Sequence, residues 1–110
     1  PEAQKEISNL IALMSNIENS QVIVTTHSPY ILASINNLIL ASQAGINHAE
    51  KVMEKINKNL WINHDRVYAA IVSEGKVTDI MDSELGIIQQ EKIDSVSGTI
   101  NDEFDFIFQL

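Results

Sequence analysis

Apolar residues recur every three or four positions near the start of the chain, at Ile7, Leu10, Ile11, Met14 and Ile17. This spacing predicts an amphipathic helix over residues 1–19. Residues 21–26 follow and are β-branched from Val22 onward, which is typical of a strand covered on both faces, as in a parallel sheet. A helix followed at once by such a strand is half of an α/β unit.

Helical patterns continue through the next part of the chain. Ser28 is the expected N-cap of a helix that begins at Pro29 and ends near residue 35. A second short helix is predicted over residues 38–44, closed by Gly45, and a third begins at Asn47. A strand at residues 38–41 is the weaker alternative, because only Ile39 there is β-branched.

The second half of the sequence predicts a hairpin and a final helix. We predict two strands, at residues 66–73 and 76–81, that are joined through Glu74-Gly75. Apolar residues at helical spacing then predict a C-terminal helix. We therefore expect one α/β domain over residues 1–110, with helices packed on a small sheet. Its segments are residues 1–35 (helix, strand, histidine loop, helix), 36–63 (a helical insertion), 64–81 (a hairpin) and 82–110 (an acidic helical segment).

Charge and composition restrict the function. The chain has a net charge of -8, and residues 79–105 contain eight acidic residues and only Lys92 as a base. An acidic surface repels the phosphodiester backbone, so direct nucleic-acid binding is not expected. The absence of cysteine favours a cytoplasmic setting. No apolar stretch has the roughly 20 residues that a membrane helix requires. The first residue, Pro1, suggests a piece of a longer chain.

His27 has the most informative position for chemistry. It follows the predicted strand and precedes a helix N-terminus, and in open α/β sheets ligands bind outside the carboxyl ends of the strands. An imidazole there can donate a hydrogen bond to a phosphoryl oxygen or to a positioned water. The alternative is that His27 only forms part of a strand-to-helix turn.

The segment VIVTTHSPYIL, residues 22–32, resembles the switch-histidine segment of ABC-type ATPases. The resemblance is to the SMC-like group, which includes DNA-repair ATPases and the overcoming-lysogenization-defect (OLD) type. The opening PEAQ is similar to the stretch after the Walker B strand and D-loop. HDRVYAAIVSEGKVTDI, residues 64–80, is similar to the strand-turn-strand that closes many such domains. Three matches in the family's order cover most of residues 1–81.

The resemblance implies a partial P-loop NTPase fold, the C-terminal lobe of an ABC-ATPase-like domain. His27 would be the catalytic γ-phosphate sensor, and Thr26 and Ser28 would hold the nucleotide-binding loop with it. Residues 1–4 would lie at a dimer-facing edge. ATP and Mg would be the cofactors of the intact protein, which would form a homodimer, and the rest of the ATPase domain would be the partner of this segment.

Residues 1–110 lack the other parts of such an ATPase. A P-loop needs Gly, four residues and then Gly-Lys-Ser/Thr, so that backbone N–H groups surround the phosphates. Gly75-Lys76 does not fit, because Ala70 precedes it at the required spacing and Val77 follows it. Strand-ending Asp-Glu and a Ser-Gly-Gly signature are also absent from the sequence. We therefore expect no ATP hydrolysis and no bound cofactor for these residues alone.

Other chemistries have weaker support. His48 and His64 share no ligand spacing with His27, so no metal site is expected. No Gly-x-Ser-x-Gly elbow accompanies Ser28 to suggest a hydrolase. The pair Asp102-Glu103 is typical of a solvated helix face. The main alternative is a non-enzymatic protein-interaction domain that contacts its partner through the acidic C-terminal helix. An OLD-type nuclease would require a metal-binding Toprim domain after residue 110.

Overall fold

The computed structural model describes residues 2–94 and 106–109. They form a mixed α/β structure with two long helices and two small antiparallel sheets. The elements in chain order are α1 (Glu2–Ser15), α2 (Pro29–Met53), single 3-10 turns at Lys58–Leu60 and His64–Arg66, β1 (Ala70–Ser73), β2 (Lys76–Asp79), β3 (Met81–Asp82) and β4 (Ile87–Ile88).

Helix α1 confirms the first predicted helix, and it packs along α2. The Ser8 hydroxyl lies 3.5 Å from the Ile31 carbonyl oxygen, and Ala12, one turn later, joins Leu38 and Ile39 in the core. The two helices therefore run in the same direction, with their N-termini at the same end. At the other end of α1, the Asn16 amide donates to the carbonyl of Trp61 at 2.9 Å.

The prediction of a parallel strand over residues 21–26 is wrong, because the structure has no strand there. These residues have no regular secondary structure, and Ile23 is 83% exposed. A strand exists only where a neighbour accepts and donates its backbone hydrogen bonds. No described residue supplies that neighbour, because the two sheets are closed pairs, β1 with β2 and β3 with β4. The β-branched composition was therefore not sufficient to form a strand.

The prediction of three separate helices from Pro29 onward is also wrong. The structure has one helix there, α2, from Pro29 to Met53. Its interior is interrupted only at His48, where non-helical angles (φ -134°, ψ 40°) mark a kink one residue after the predicted start at Asn47. Gly45 does not end a helix. A Cβ placed on it would overlap the Trp61 ring, so glycine is needed there to let the indole approach the helix.

The predicted hairpin is confirmed, with shorter strands. β1 and β2 pair in antiparallel register, with Val72 opposite Val77, and Glu74 and Gly75 both take positive φ in the turn. The sequence did not indicate the second hairpin, in which Met81 pairs with Ile88. Its turn is held by the Asp82 carboxylate, which accepts hydrogen bonds from two backbone N–H groups of the turn at 2.9 and 3.0 Å.

Two apolar clusters meet along α2. One contains Ala12, Leu38, Ile39, Ile62 and Ile87, and the other contains Ile80, Ile88 and Ile93, with Ile35 touching both.

Asn36, the residue after Ile35 on α2, is 1% exposed. Its Nδ2 donates to the Ile88 carbonyl at 2.9 Å, and its Oδ1 accepts from the Ile88 N–H at 2.8 Å. One side chain thus satisfies both backbone groups of a buried strand residue and joins α2 to β4.

The predicted C-terminal helix falls largely on residues 95–105, which lie outside the described residues, as do Asp102 and Glu103. Residues 90–94 and 106–108 are helical.

We expect Asn36→Leu to lower the free energy of unfolding by about 3 kcal/mol, because it leaves the Ile88 N–H and C=O buried without partners. Asn37→Leu, at the exposed neighbouring position, is the matched control and should change it by less than about 0.5 kcal/mol. Urea unfolding followed by Trp61 fluorescence measures both. Equal stability of the two variants would contradict the structural role of Asn36.

Gly45→Ala gives a test in which the two physical effects have opposite signs. Helix propensity alone predicts stabilisation by about 1 kcal/mol. The contact with Trp61 predicts destabilisation by about 1–3 kcal/mol, because the ring must move. We expect destabilisation in urea, followed by circular dichroism, and a smaller effect of the same substitution in a Trp61→Leu background. Stabilisation in the parent chain would show that the indole does not pack on Gly45.

Candidate functional site

The three predicted site residues lie together where residues 21–26 meet the loop that starts α2. Thr26 Oγ1 accepts a hydrogen bond from the Ser28 backbone N–H at 2.9 Å, which closes a tight turn around His27. Because the turn is closed by a side chain of the loop itself, the backbone on both sides of His27 is held in place. Thr26 and Ser28 are half-buried, whereas His27 is exposed.

Ser28 is the N-cap of α2, as predicted. It has extended backbone angles (φ -86°, ψ 115°), and its hydroxyl oxygen accepts from the Ile31 N–H at 3.3 Å. Pro29 occupies the first turn, where its missing N–H costs nothing. Among the described residues, no acceptor meets the Tyr30 N–H. The positive end of the helix dipole and one free backbone donor therefore lie directly after His27.

The His27 ring makes no hydrogen bond to any of the described residues. Its two nitrogens are thus available to an external group. A neutral imidazole offers one donor and one acceptor, and a protonated one offers two donors. Combined with the start of α2, such a ring suits an anionic oxygen, for which helix N-termini are a common binding place.

Gln4 is a feature that the sequence did not single out. Its side-chain Oε1 is buried and has no hydrogen-bond partner in the described structure. The Gln4 backbone carbonyl accepts from the Ser8 hydroxyl at 2.9 Å, on the side of α1 that faces the first turn of α2. Gln4 therefore belongs to the same end of the helix pair as His27. The PEAQ resemblance includes Gln4 but gives no sign that its side chain is buried.

The remaining candidates are not brought together with His27. His48 lies exposed at the kink of α2, and His64 Nε2 lies 3.1 Å from Asp65 Oδ1 on the surface. Within residues 2–94 and 106–109, no three acidic, histidine or cysteine side chains are grouped to hold a metal ion. An open cleft lined by Leu13, Asn16 and Trp61 lies at the opposite end of α1 and contains none of the three predicted site residues.

Comparisons of this chain with protein-family models, with curated proteins and with solved structures gave no match. No helix in the described part of the chain has both the length and the apolar character needed to cross a bilayer. The interpretation of the site therefore depends on the residues and their geometry.

We expect Ser28→Ala to lower the free energy of unfolding by about 1 kcal/mol, because the Ile31 N–H loses its acceptor. Ser28→Asp supplies another acceptor at the positive helix end and should restore most of that loss. Urea unfolding of the three chains measures the difference. Identical curves for the alanine and aspartate variants would mean that the cap does not hold the start of α2.

Proposed function

We propose that this chain is the C-terminal part of an ABC/SMC-like, P-loop ATPase domain, in which His27 contacts the γ-phosphate of ATP. The observation that supports this most is the order of the parts. A β-branched segment ends in Thr-His-Ser-Pro, and the exposed histidine lies between that segment and a capped helix N-terminus. The same order is found in the switch-histidine segment that the sequence resembles.

The chemistry of phosphoryl transfer fits this arrangement. Negative charge spreads over the γ-phosphate oxygens in the transition state, and catalysis depends on donors already placed to meet it. A His27 N–H would be one such donor. The Thr26 turn and the Ser28 cap would reduce the freedom of the loop, so that little reorganisation accompanies the reaction.

The other parts of the reaction must come from residues outside this sequence. A P-loop would surround the phosphates, and a strand-ending acidic pair would hold the magnesium ion, whose charge neutralises the phosphate oxygens. The described residues contain no cluster suited to magnesium. In this proposal the rest of the ATPase domain is the partner of the chain, the intact protein works as a homodimer, and it is cytoplasmic.

A second candidate is a non-enzymatic protein-interaction domain. It is favoured by the exposed row of large apolar side chains on α1, which a partner protein would cover. In this case His27 would have no phosphate to bind, and the Thr26 and Ser28 contacts would serve only the turn.

Sequencing the coding DNA on the 5′ side of the Pro1 codon separates the two candidates. The ATPase proposal expects an in-frame strand ending in Asp-Glu and, farther upstream, a Gly-Lys-Ser/Thr loop. A start codon within a few residues of Pro1 would reject it in favour of the interaction domain.

In the full-length protein, His27→Ala should lower kcat for ATP hydrolysis by about 100-fold or more, because a transition-state donor is lost. ATP affinity should change little, since the P-loop supplies most ground-state contacts. His48→Ala, at another exposed histidine, is the matched control and should leave both unchanged. Unaltered turnover in His27→Ala would exclude the proposed role.

A further inference from the structure

The cleft at the C-terminal end of α1 has the size of a small-molecule binding site. It is lined by residues from that end of α1, by Ser42 on α2 and by residues in and around the 3-10 turn at Lys58–Leu60. Its volume is about 560 Å³. Small-molecule sites in proteins occupy roughly 300–1,000 Å³. None of Thr26, His27 and Ser28 lines the cleft, so its ligand is a separate matter from the proposed role of His27.

Hydrogen bonds within the protein hold the walls of this cleft. The Asn16 side-chain amide donates to the carbonyl oxygens of Asn59 and Trp61, both at 2.9 Å, and so joins the end of α1 to the 3-10 turn. The Trp61 indole Nε1 donates to the Ile56 carbonyl oxygen at 3.1 Å, which fixes the orientation of the ring. The Asn57 Oδ1 caps the turn by accepting from the Asn59 N–H at 2.9 Å. A ligand therefore meets a surface that is already ordered, which lowers the cost of binding.

Three apolar side chains of the lining suit a flat hydrocarbon group. Leu13 and Ile17 are 45% and 61% exposed, and the Trp61 ring is half-buried. We call these three residues the apolar wall. Covering them removes apolar surface from water, which favours binding. An aromatic ligand gains more than an aliphatic one, because its ring can also make offset or edge-to-face contacts with the indole.

The polar side chains of the lining favour a negative charge on the ligand. Lys58 is the only charged residue among the described residues that line the cleft, although the whole chain has a net charge of -8. The Lys58 ammonium and the side-chain amide nitrogens of Asn59 and Asn63 donate no hydrogen bond within the described chain. We call these three residues the donor edge. A carboxylate can accept several hydrogen bonds and is attracted by the ammonium.

We propose that this cleft binds a small aromatic carboxylate, whose rings contact the apolar wall and whose negative charge is met by the donor edge. A neutral hydrocarbon would use the wall alone and would gain nothing from Lys58. A cation would be repelled by Lys58 and would find no carboxylate among the described lining residues. The aromatic carboxylate is the class of ligand that uses both parts of the lining.

The test compares naphthoate with naphthalenemethanol, which has the same rings without the charge. Each compound is titrated into the isotope-labelled chain and followed by two-dimensional NMR. Trp61 is the only tryptophan of the chain, so its indole N–H signal is assigned without ambiguity. Naphthoate should shift this signal and the side-chain amide signals of Asn59 and Asn63 in a saturable way, with a Kd of about 1 mM or lower. Naphthalenemethanol should bind at least about fivefold more weakly.

Two pairs of variants then locate the ligand in the cleft. Lys58→Met keeps a side chain of similar length without the charge and should raise the Kd of naphthoate about three- to fivefold. Lys55→Met, at an exposed lysine that does not line the cleft, is its matched control. Leu13→Glu should raise the Kd about tenfold or more, because it replaces an apolar contact by a like charge. Leu10→Glu, at an exposed position of α1 outside the cleft, should leave it unchanged.

Circular dichroism of each variant verifies that the fold is retained. Shifts that grow linearly without saturation would overturn the proposal, as would equal affinities for naphthoate and naphthalenemethanol. Shifts confined to residues outside the cleft would place the ligand elsewhere and reject the site. Equal Kd values for the Lys58 and Lys55 variants would show that the donor edge does not meet the charge.

Discussion

The two hydrogen bonds between the Asn36 amide and the backbone of Ile88 are the constraint on which most of the structure depends. Both groups are buried, so each would lose free energy if left without a partner. A side-chain amide donates and accepts in one plane, which fixes β4 against α2 in one register. β3 follows, because Met81 pairs with Ile88, and Ile88 then joins the cluster around Ile80.

This constraint also determines where the candidate site lies. Asn36 is two turns after the N-cap of the same continuous helix, so fixing Asn36 against β4 also fixes the start of α2. The hydrogen bonds of the Thr26 and Ser28 side chains then fix the backbone of the loop that carries His27. The result is an exposed imidazole on a supported backbone, which is the combination that a pre-organised phosphate contact requires. Ile7, Leu10 and Met14 on α1 and Ile23 in residues 21–26 are exposed at the same time.

The parts of this structure that depend on neighbouring residues in sequence were predictable. The Ser28-Pro29 helix start and the Glu74-Gly75 turn need only local groups, and both appear as expected. The features that the sequence did not predict depend on contacts between residues far apart in the sequence. Gly45 resembles a helix terminator until Trp61 is known to lie against it, and Asn36 looks like any polar helix residue until Ile88 is placed opposite. Residues 21–26 have strand composition, but composition supplies no partner. For the site, the sequence indicated His27, Thr26 and Ser28 but not the buried Oε1 of Gln4.

The central claim is that the hydrogen bonds of Asn36 hold β4 against α2, whereas residues 21–26 have no backbone–backbone hydrogen bond within the described chain. Hydrogen exchange of the free chain, resolved to single amides, tests it most directly. We expect the Ile88 amide to exchange only through global unfolding and the amides of residues 21–26 to exchange at nearly the intrinsic rate. Protection of residues 21–26 equal to that of β1 and β2 would show that they are already paired and would contradict the account.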